Sequence, residues 1–372
     1  TNVMAPQRAE GRSAARATHK IEVASVDDYL HGADSDTLQE SSRAACEVVA
    51  RSLLATGMVI LRDSRVKTAD HEAFLDMLEL YFDQDDAAKK LDERPDLHYQ
   101  VGTTPELTEV PVCKTSPDCA RLIQELPPGN EPAPIAGADP KWRFFWRIGD
   151  RPTGSQYEDL NAEPVTPAGF PSWSETMDRW GSHMLQAVTS CAEMAAIGFG
   201  MECKALTNLM HLGPHVLAPT GSDLRKYRTL GQPLAGWHSD LNLLTIHGKS
   251  RYPGLYAWAS DGTKGPVSIP DGCLLVQAGQ QMEYLTGGAV KAGMHEVVIT
   301  DKTLEAAEEA RRLGRPVWRV SSTLFAHVAS DQVLQPLHPF STPERQIAFP
   351  AKRAGDQVMD VLRQIELSVS ER

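Results

Sequence analysis

Two imidazoles and one carboxylate are the side chains in this sequence whose types and spacing could do chemistry. His238 and Asp240 stand one residue apart in Gly236-Trp237-His238-Ser239-Asp240. In an extended strand alternate side chains share a face, so both reach one point in space. A further imidazole, His295, comes from far along the chain in Gly293-Met294-His295-Glu296-Val297 and would complete a three-donor face. Two neutral imidazoles and a carboxylate suit Fe(II) with neighbouring positions left open, an arrangement for activating dioxygen beside a co-substrate. The same donors suit Zn(II) in a hydrolase. Taken alone a His-x-Asp carries little weight, because chance places about one in a chain of this composition.

The flanks add the weight. After Asp240 come Leu244-Thr245, then Pro253-Gly254-Leu255, then an apolar run at 274–279, then Leu285-Thr286-Gly287-Gly288 ahead of His295. Short apolar runs punctuated by Gly and Pro read as buried strands joined by turns. In this order the elements resemble the isopenicillin N synthase-like branch of the iron(II)/2-oxoglutarate-dependent dioxygenases, well over the last half of the chain and by general pattern over the first.

The resemblance implies a mainly β fold with accessory α-helices, a double-stranded β-helix (jelly roll, cupin-like). It implies Fe(II) held by His238, Asp240 and His295, with 2-oxoglutarate and O2 as co-substrates and ascorbate as a reductant. The expected reaction is hydroxylation, desaturation or ring closure of a small molecule with release of succinate and CO2. Members of the branch carry an Arg-x-Ser shortly after the distal histidine, on the next strand, which clamps the co-substrate carboxylate. Arg319-Val320-Ser321 matches it but comes later. The excess, residues 303–314, is dense in helix formers and closed by glycine, so it reads as a helix inserted between two strands. If 317–325 is one strand, Arg319 and Ser321 share a face. A planar guanidinium gives a carboxylate two parallel hydrogen bonds and the hydroxyl a third. Tyr227 is the nearest match to a tyrosine that touches the same carboxylate in relatives, although the usual proline does not follow it. His247 falls at an odd offset from His238, on the opposite face of an uninterrupted strand, and reads as structural. Retention of Asp240 argues against a halogenase. Two other readings stay open beside the zinc hydrolase: an oxidase of the isopenicillin N synthase type, which uses O2 without 2-oxoglutarate, and a noncatalytic jelly-roll binding protein.

The elements that must position these residues follow from pattern. The chain of 372 residues is 41% hydrophobic, enough for a sizeable core. Residues 19–372 read as a single domain behind a mobile tail at 1–18: a helical, proline-rich part at 19–200, the metal-binding β-helix core at 201–345 and a C-terminal helix at 346–372. Strands are expected at 21–24 and 58–61. Helices are expected after an Asp36/Gln39 capping box, from Thr68, and from a Ser172/Glu175 capping box to Gly198. Prolines crowd 102–171 and exclude long regular elements, leaving an ordered, irregular cover. Within it, Lys141-Trp142-Arg143-Phe144-Phe145-Trp146-Arg147 reads as a strand or a substrate wall, with Arg143 and Arg147 as candidates to meet an acidic substrate.

The net charge of −12 argues against nonspecific nucleic-acid binding and against an anionic membrane surface. The expected partner is a small molecule, with a monomer favoured. Six scattered cysteines form no CxxC pair, which points to a reducing compartment and the cytoplasm. Cys113 and Cys119 are expected to be unpaired. The Arg/Ala-rich N-terminus keeps organelle import open.

Overall fold

Sixteen short strands form among the described residues of the computed structural model, which are 20–33, 39–114, 116–135 and 137–365; segments such as Met58–Arg62 and Trp142–Arg147, rich in apolar and aromatic residues, are buried along nearly their whole length. The tail at 1–18 and the Asp36 end of the first capping box lie outside them. In chain order the strands are β1 (Val23–Ser25), β2 (Met58–Arg62), β3 (Gly102–Thr104), β4 (Trp142–Arg147), β5 (Val216–Leu217), β6 (Thr220–Asp223), β7 (Pro233–His238) and β8 (Leu244–Gly248). They continue as β9 (Leu255–Trp258), β10 (Lys264–Pro266), β11 (Cys273–Ala278), β12 (His295–Val298), β13 (Trp318–Val320), β14 (Ser322–Ala326), β15 (Val333–Leu334) and β16 (Lys352–Arg353).

The major sheet runs β1-β2-β11-β8-β14-β5-β4-β6-β13, with β3 added on β4, and the minor sheet runs β10-β9-β12-β7. Apart from the parallel β1–β2 pair, neighbours are antiparallel. Both sheets contribute residues to one internal cavity. Two facing antiparallel sheets around a central pocket, with helices outside, make a double-stranded β-helix.

Three helices brace the major sheet from outside: Glu40–Thr56, Thr68–Phe82 and Trp173–Gly198. The last buries Trp173, Met177, Trp180, Met184 and Val188 along one face, and Trp180 Nε1 donates to Ser322 Oγ at 2.8 Å, which ties the helix to β14. Of the two expected capping boxes, the one at Asp36 lies outside the described residues and the one at Ser172 does not form. Ser172 precedes that helix without a side-chain cap, and Glu175 pairs with Arg179 one turn on. Gln39 caps the first helix with no side-chain bond.

The insertion before β13 is a helix at Asp301–Arg312, opened by a capping box between Thr300 and Thr303 and anchored by Thr303 Oγ1 donating to Pro253 O at 2.9 Å. It leaves the following register intact, since Arg319 still sits opposite Ser222 of β6. The expected single strand at 317–325 is instead two, broken at Ser321, whose amide bonds Thr220 O at 2.9 Å.

The proline-rich stretch folds as short pieces over the cavity mouth. Here the cysteine expectation is corrected: Cys113 and Cys119 form a disulfide, with Cα atoms 5.0 Å apart. Ser116 caps the helix Pro117–Glu125 by accepting from Cys119 N, and that turn folds the helix start back onto the preceding 3-10 turn at Val112–Lys114. Closing so short a loop restricts the unfolded chain by about 2 kcal/mol. Cys46, Cys191, Cys203 and Cys273 are free. Among the described residues no helix is long and apolar enough to cross a membrane.

Candidate active site

His238 ends β7 and His295 begins β12, and in the antiparallel ladder these two residues are direct partners. The rings lie 4.3 Å apart between centroids. Each ring is held by a carbonyl two residues earlier in its own chain: His238 Nδ1 lies 2.6 Å from Gly236 O and His295 Nδ1 lies 3.1 Å from Gly293 O. A carbonyl can only accept, so each Nδ1 carries the proton and each Nε2 presents a lone pair. Asp240 follows the strand end by two residues, and its Oδ1 lies 3.6 Å from His238 Nε2 and 4.0 Å from His295 Nε2. The three donor atoms fall within 4.8 Å of one another, which suits a single ion bonded at about 2.1 Å.

Burial, and then the neighbouring His295, push the His238 pKa down to about 4, so the ring is neutral at physiological pH. Burial opposes the Asp240 carboxylate, but the two imidazoles and a hydrogen bond from Thr245 Oγ1 to Oδ2 at 2.6 Å hold its pKa below the ordinary value. That bond occupies the outer oxygen and leaves Oδ1 turned toward the histidines. Thr245→Val therefore releases the carboxylate, and metal affinity should fall about 10–100-fold with the fold intact, as read by metal titration. Backbone packing is equally tight here. A Cβ on Gly279 would lie 2.0 Å from Asn242 O and 3.0 Å from Asp240 O. Gly279→Ala should cost roughly 1–3 kcal/mol and lower the Tm of the metal-free protein.

The cluster opens on a cavity of about 420 Å³, within the usual range for a small-molecule site. Arg319 projects into it from β13 and is 6% exposed. Its guanidinium makes no hydrogen bond or ion pair with any described residue, its Nε included, and burial pushes its pKa down to about 10. A buried cation left uncompensated by the protein is costly unless a ligand supplies the anion. Ser321 also lines the cavity, where its Oγ accepts from Thr220 N and Thr220 Oγ1, both at 2.9 Å, which leaves its own proton to donate.

The remaining expected residues divide. Arg143 lines the cavity, ion-paired with Glu109. Arg147 does not: its guanidinium is taken up by the carbonyls of Ile148, His215 and Asp150 and by Asn161 Oδ1, where β4 shifts from pairing with β6 to pairing with β5. Tyr227 is also elsewhere. Its amide bonds Asp223 O at 2.9 Å in a turn that leaves β6, so the ring turns away and its hydroxyl bonds Glu106 Oε2 at 3.1 Å.

His247, expected on the opposite face, lines the cavity with its ring 6.2 Å from that of His295, its Nε2 2.6 Å from Gln277 Oε1 and its Nδ1 3.0 Å from Thr323 Oγ1. The loop at 239–243 between β7 and β8 breaks the strand, so counting alternation across it fails. Glu109 and Asp139 are further wall residues that sequence reasoning missed, while Lys141 opens the run read as a strand or substrate wall. Glu109 sits in the irregular cover with no signal to mark it.

No protein-family model matches the chain. Kihadalactone A synthase LFS of Citrus sinensis is 22% identical over 213 residues, 53% of this chain, so the chain spans 56% of that relative's length. A 2OG-Fe(II) oxygenase family protein of Caulobacter crescentus superposes with a TM-score of 0.71 at 22% identity, covering 94% of this chain and 100% of its own. A full-length Neurospora crassa protein in complex with alpha-KG gives 0.70 at 15% identity over 92% and 96% of the two chains. JOX2 in complex with 2OG, Fe and JA gives 0.63 at 17% over 94% and 89%. These likenesses establish the fold: the double-stranded β-helix built here is the one those oxygenases use.

Proposed function

We propose that this chain belongs to the Fe(II)/2-oxoglutarate-dependent oxygenases and oxidises a small organic molecule in the cavity between its two sheets. The observation that carries this is Arg319, a buried guanidinium without a protein anion, in the same cavity as a cluster of two imidazoles and one carboxylate. The donor set fits Fe(II), and the unpartnered guanidinium beside a hydroxyl fits the far carboxylate of a keto diacid.

In this reading His238, Asp240 and His295 hold the metal, each Nδ1 proton committed to a backbone carbonyl so that the Nε2 lone pairs face inward. Arg319 and Ser321 hold the co-substrate carboxylate. Thr245 fixes which oxygen of Asp240 points at the metal. Fe(II) and 2-oxoglutarate held by these residues would supply a two-electron oxidation of the substrate by O2, coupled to conversion of the keto acid to succinate and CO2. The apolar wall formed by Phe145, Val216, Phe325, Leu160, Val358 and Leu362 keeps bulk water from the reacting carbon. Support for a small-molecule substrate comes from the cavity size and from the neighbours of like fold, which are complexed with thymine in the Neurospora crassa protein and with JA in JOX2.

The test is an anaerobic titration of the full chain with Fe(II), with and without 2-oxoglutarate, watching the weak visible charge-transfer band of the chelate. A band that requires both additions is expected. Its absence, together with no binding of the keto acid, removes 2-oxoglutarate from the reading and leaves the oxidase of the isopenicillin N synthase type. Activity supported by Zn(II) as well as by Fe(II) with ascorbate would sink the oxygenase reading itself.

A further inference from the structure

Arg319 is one of two arginines that enter the cavity from the same strand ladder. Arg319 of β13 lies opposite Ser222 of β6, and Arg143 of β4 lies opposite Thr220 of the same strand. Positions 220 and 222 share a face of β6, so both guanidiniums face inward.

Their surroundings differ. Around Arg143 the protein has assembled its own counter-ions: its Nη1 pairs with Glu109 Oε1, while Glu109 Oε2 takes Lys141 Nζ at 3.0 Å and Asp139 Oδ2 takes the same ammonium at 2.6 Å. Asp139 Oδ1 accepts from Gly236 N at 2.9 Å, two residues before His238, which locks the group against the metal-bearing strand. None of these four side chains is more than 11% exposed. Two acids and two bases cancel. The other edge of the Arg143 guanidinium, Nε and Nη2, has no hydrogen-bond partner, and the group lies 4.0 Å from the centre of the Phe145 ring.

We propose that this neutralised cluster selects an uncharged substrate bearing a carbonyl oxygen, with Arg143 as the donor to that oxygen and Glu109 as the residue that sets the preference. The inference rests on the oxygenase reading above. In that reading the ferrous ion, Asp240, the keto diacid and Arg319 already sum to zero charge, so an anionic substrate would find no spare cation. A carboxylate on the free edge of Arg143 would add a third buried negative charge beside Glu109 and Asp139, with only Arg143 and Lys141 to share among them, which is costly. A neutral carbonyl meets donors that have none to lose and keeps every ion pair in place. The acidic substrate expected from the arginine alone is thus disfavoured by the residues packed around it.

The test uses the full chain with Zn(II) in place of iron and saturating 2-oxoglutarate, titrated with benzamide and with benzoate under saturation-transfer NMR. Benzamide is expected to bind at least about tenfold more tightly. Glu109→Gln should narrow or invert the ratio by freeing the charge of Arg143, with circular dichroism confirming the fold; the comparison on the unaltered protein stands even if that variant does not fold. Three results each overturn the proposal: benzoate binding that Arg143→Gln abolishes and Arg319→Gln spares, a folded Glu109→Gln variant whose ratio is unchanged, or no binding of benzamide. The iron/2-oxoglutarate band, recorded on the same preparation, separates the two levels. Loss of the band with the amide preference retained refutes the oxygenase reading alone, whereas a normal band with benzoate preferred refutes this inference alone.

Discussion

Asp240→Ala is expected to abolish the Fe(II)/2-oxoglutarate band and to reduce substrate-dependent succinate formation by well over a hundredfold, more than the roughly 10–100-fold typical of losing a residue that only orients a ligand. The carboxylate is the one anionic donor in the cluster, and its Oδ1 lies within 4.0 Å of both Nε2 atoms. Removing it leaves two neutral imidazoles facing each other, which hold a dication far more weakly than three donors that include a negative charge. The variant should still fold, because the loss to the metal-free protein is chiefly the Thr245 hydrogen bond, about 1 kcal/mol. Melting curves separate the cases. The metal-free variant should melt close to the metal-free parent, and only the parent should gain Tm when Fe(II) and 2-oxoglutarate are added. Turnover that survives the substitution would move the chemistry away from this cluster, whereas ligand binding without turnover in parent and variant alike would return the chain to the class of noncatalytic binding proteins.

Arg319→Gln has the second largest expected effect, with opposite signs in two measurements. Affinity for 2-oxoglutarate should fall about a hundredfold, ~2.7 kcal/mol, because a buried charge-assisted pair is lost on one side. That loss should appear in KM for the keto acid, while kcat at saturating keto acid changes less, since the guanidinium holds a carboxylate distant from the metal. Without 2-oxoglutarate the variant should be at least as stable as the parent, because it no longer buries a cation that lacks an anion. Arg319→Lys should recover only part of the affinity, an ammonium being unable to reproduce the two parallel bonds of the fork. A parent protein whose Tm does not respond to 2-oxoglutarate, or an Arg319→Gln variant with unaltered keto-acid affinity, would remove the clamp from the account.

How far each residue was legible depended on how local its determinants are. His238 and Asp240 could be paired from spacing because two residues along one strand need only the alternation rule. The insertion before β13 was readable as a helix from its composition, and Arg319 behind it kept its ladder partner because a helix can leave and re-enter a sheet without shifting the next strand. Alternation failed where the chain was not a strand. Counting alternation across the loop at 239–243 puts His247 on the wrong face, and the chain has already left β6 for a turn before it reaches Tyr227. The capping boxes at Asp36 and Ser172 looked alike on paper; the second does not form, whereas the unforeseen Thr300–Thr303 box does. Cap geometry depends on the φ and ψ of the residue before the helix, and those are set by how the chain arrives there.

Short-range pattern was therefore enough for several of the strands, the long bracing helix, the irregular cover and the candidate pair His238 and Asp240, since periodicity, glycine and proline act over a few residues; His295 was marked by the order of motifs that the family resemblance carries. The closed structure alone decided that His238 and His295 face each other across a ladder, that Arg147 spends its donors on carbonyls, and that Cys113 meets Cys119. It also decided that Arg143 is neutralised while Arg319 is left bare. Charge compensation depends on which distant segments pack together, and the proximity of Glu109 to Arg143, across a proline-rich cover with no periodicity of its own, exists only once both sheets have closed around the cavity.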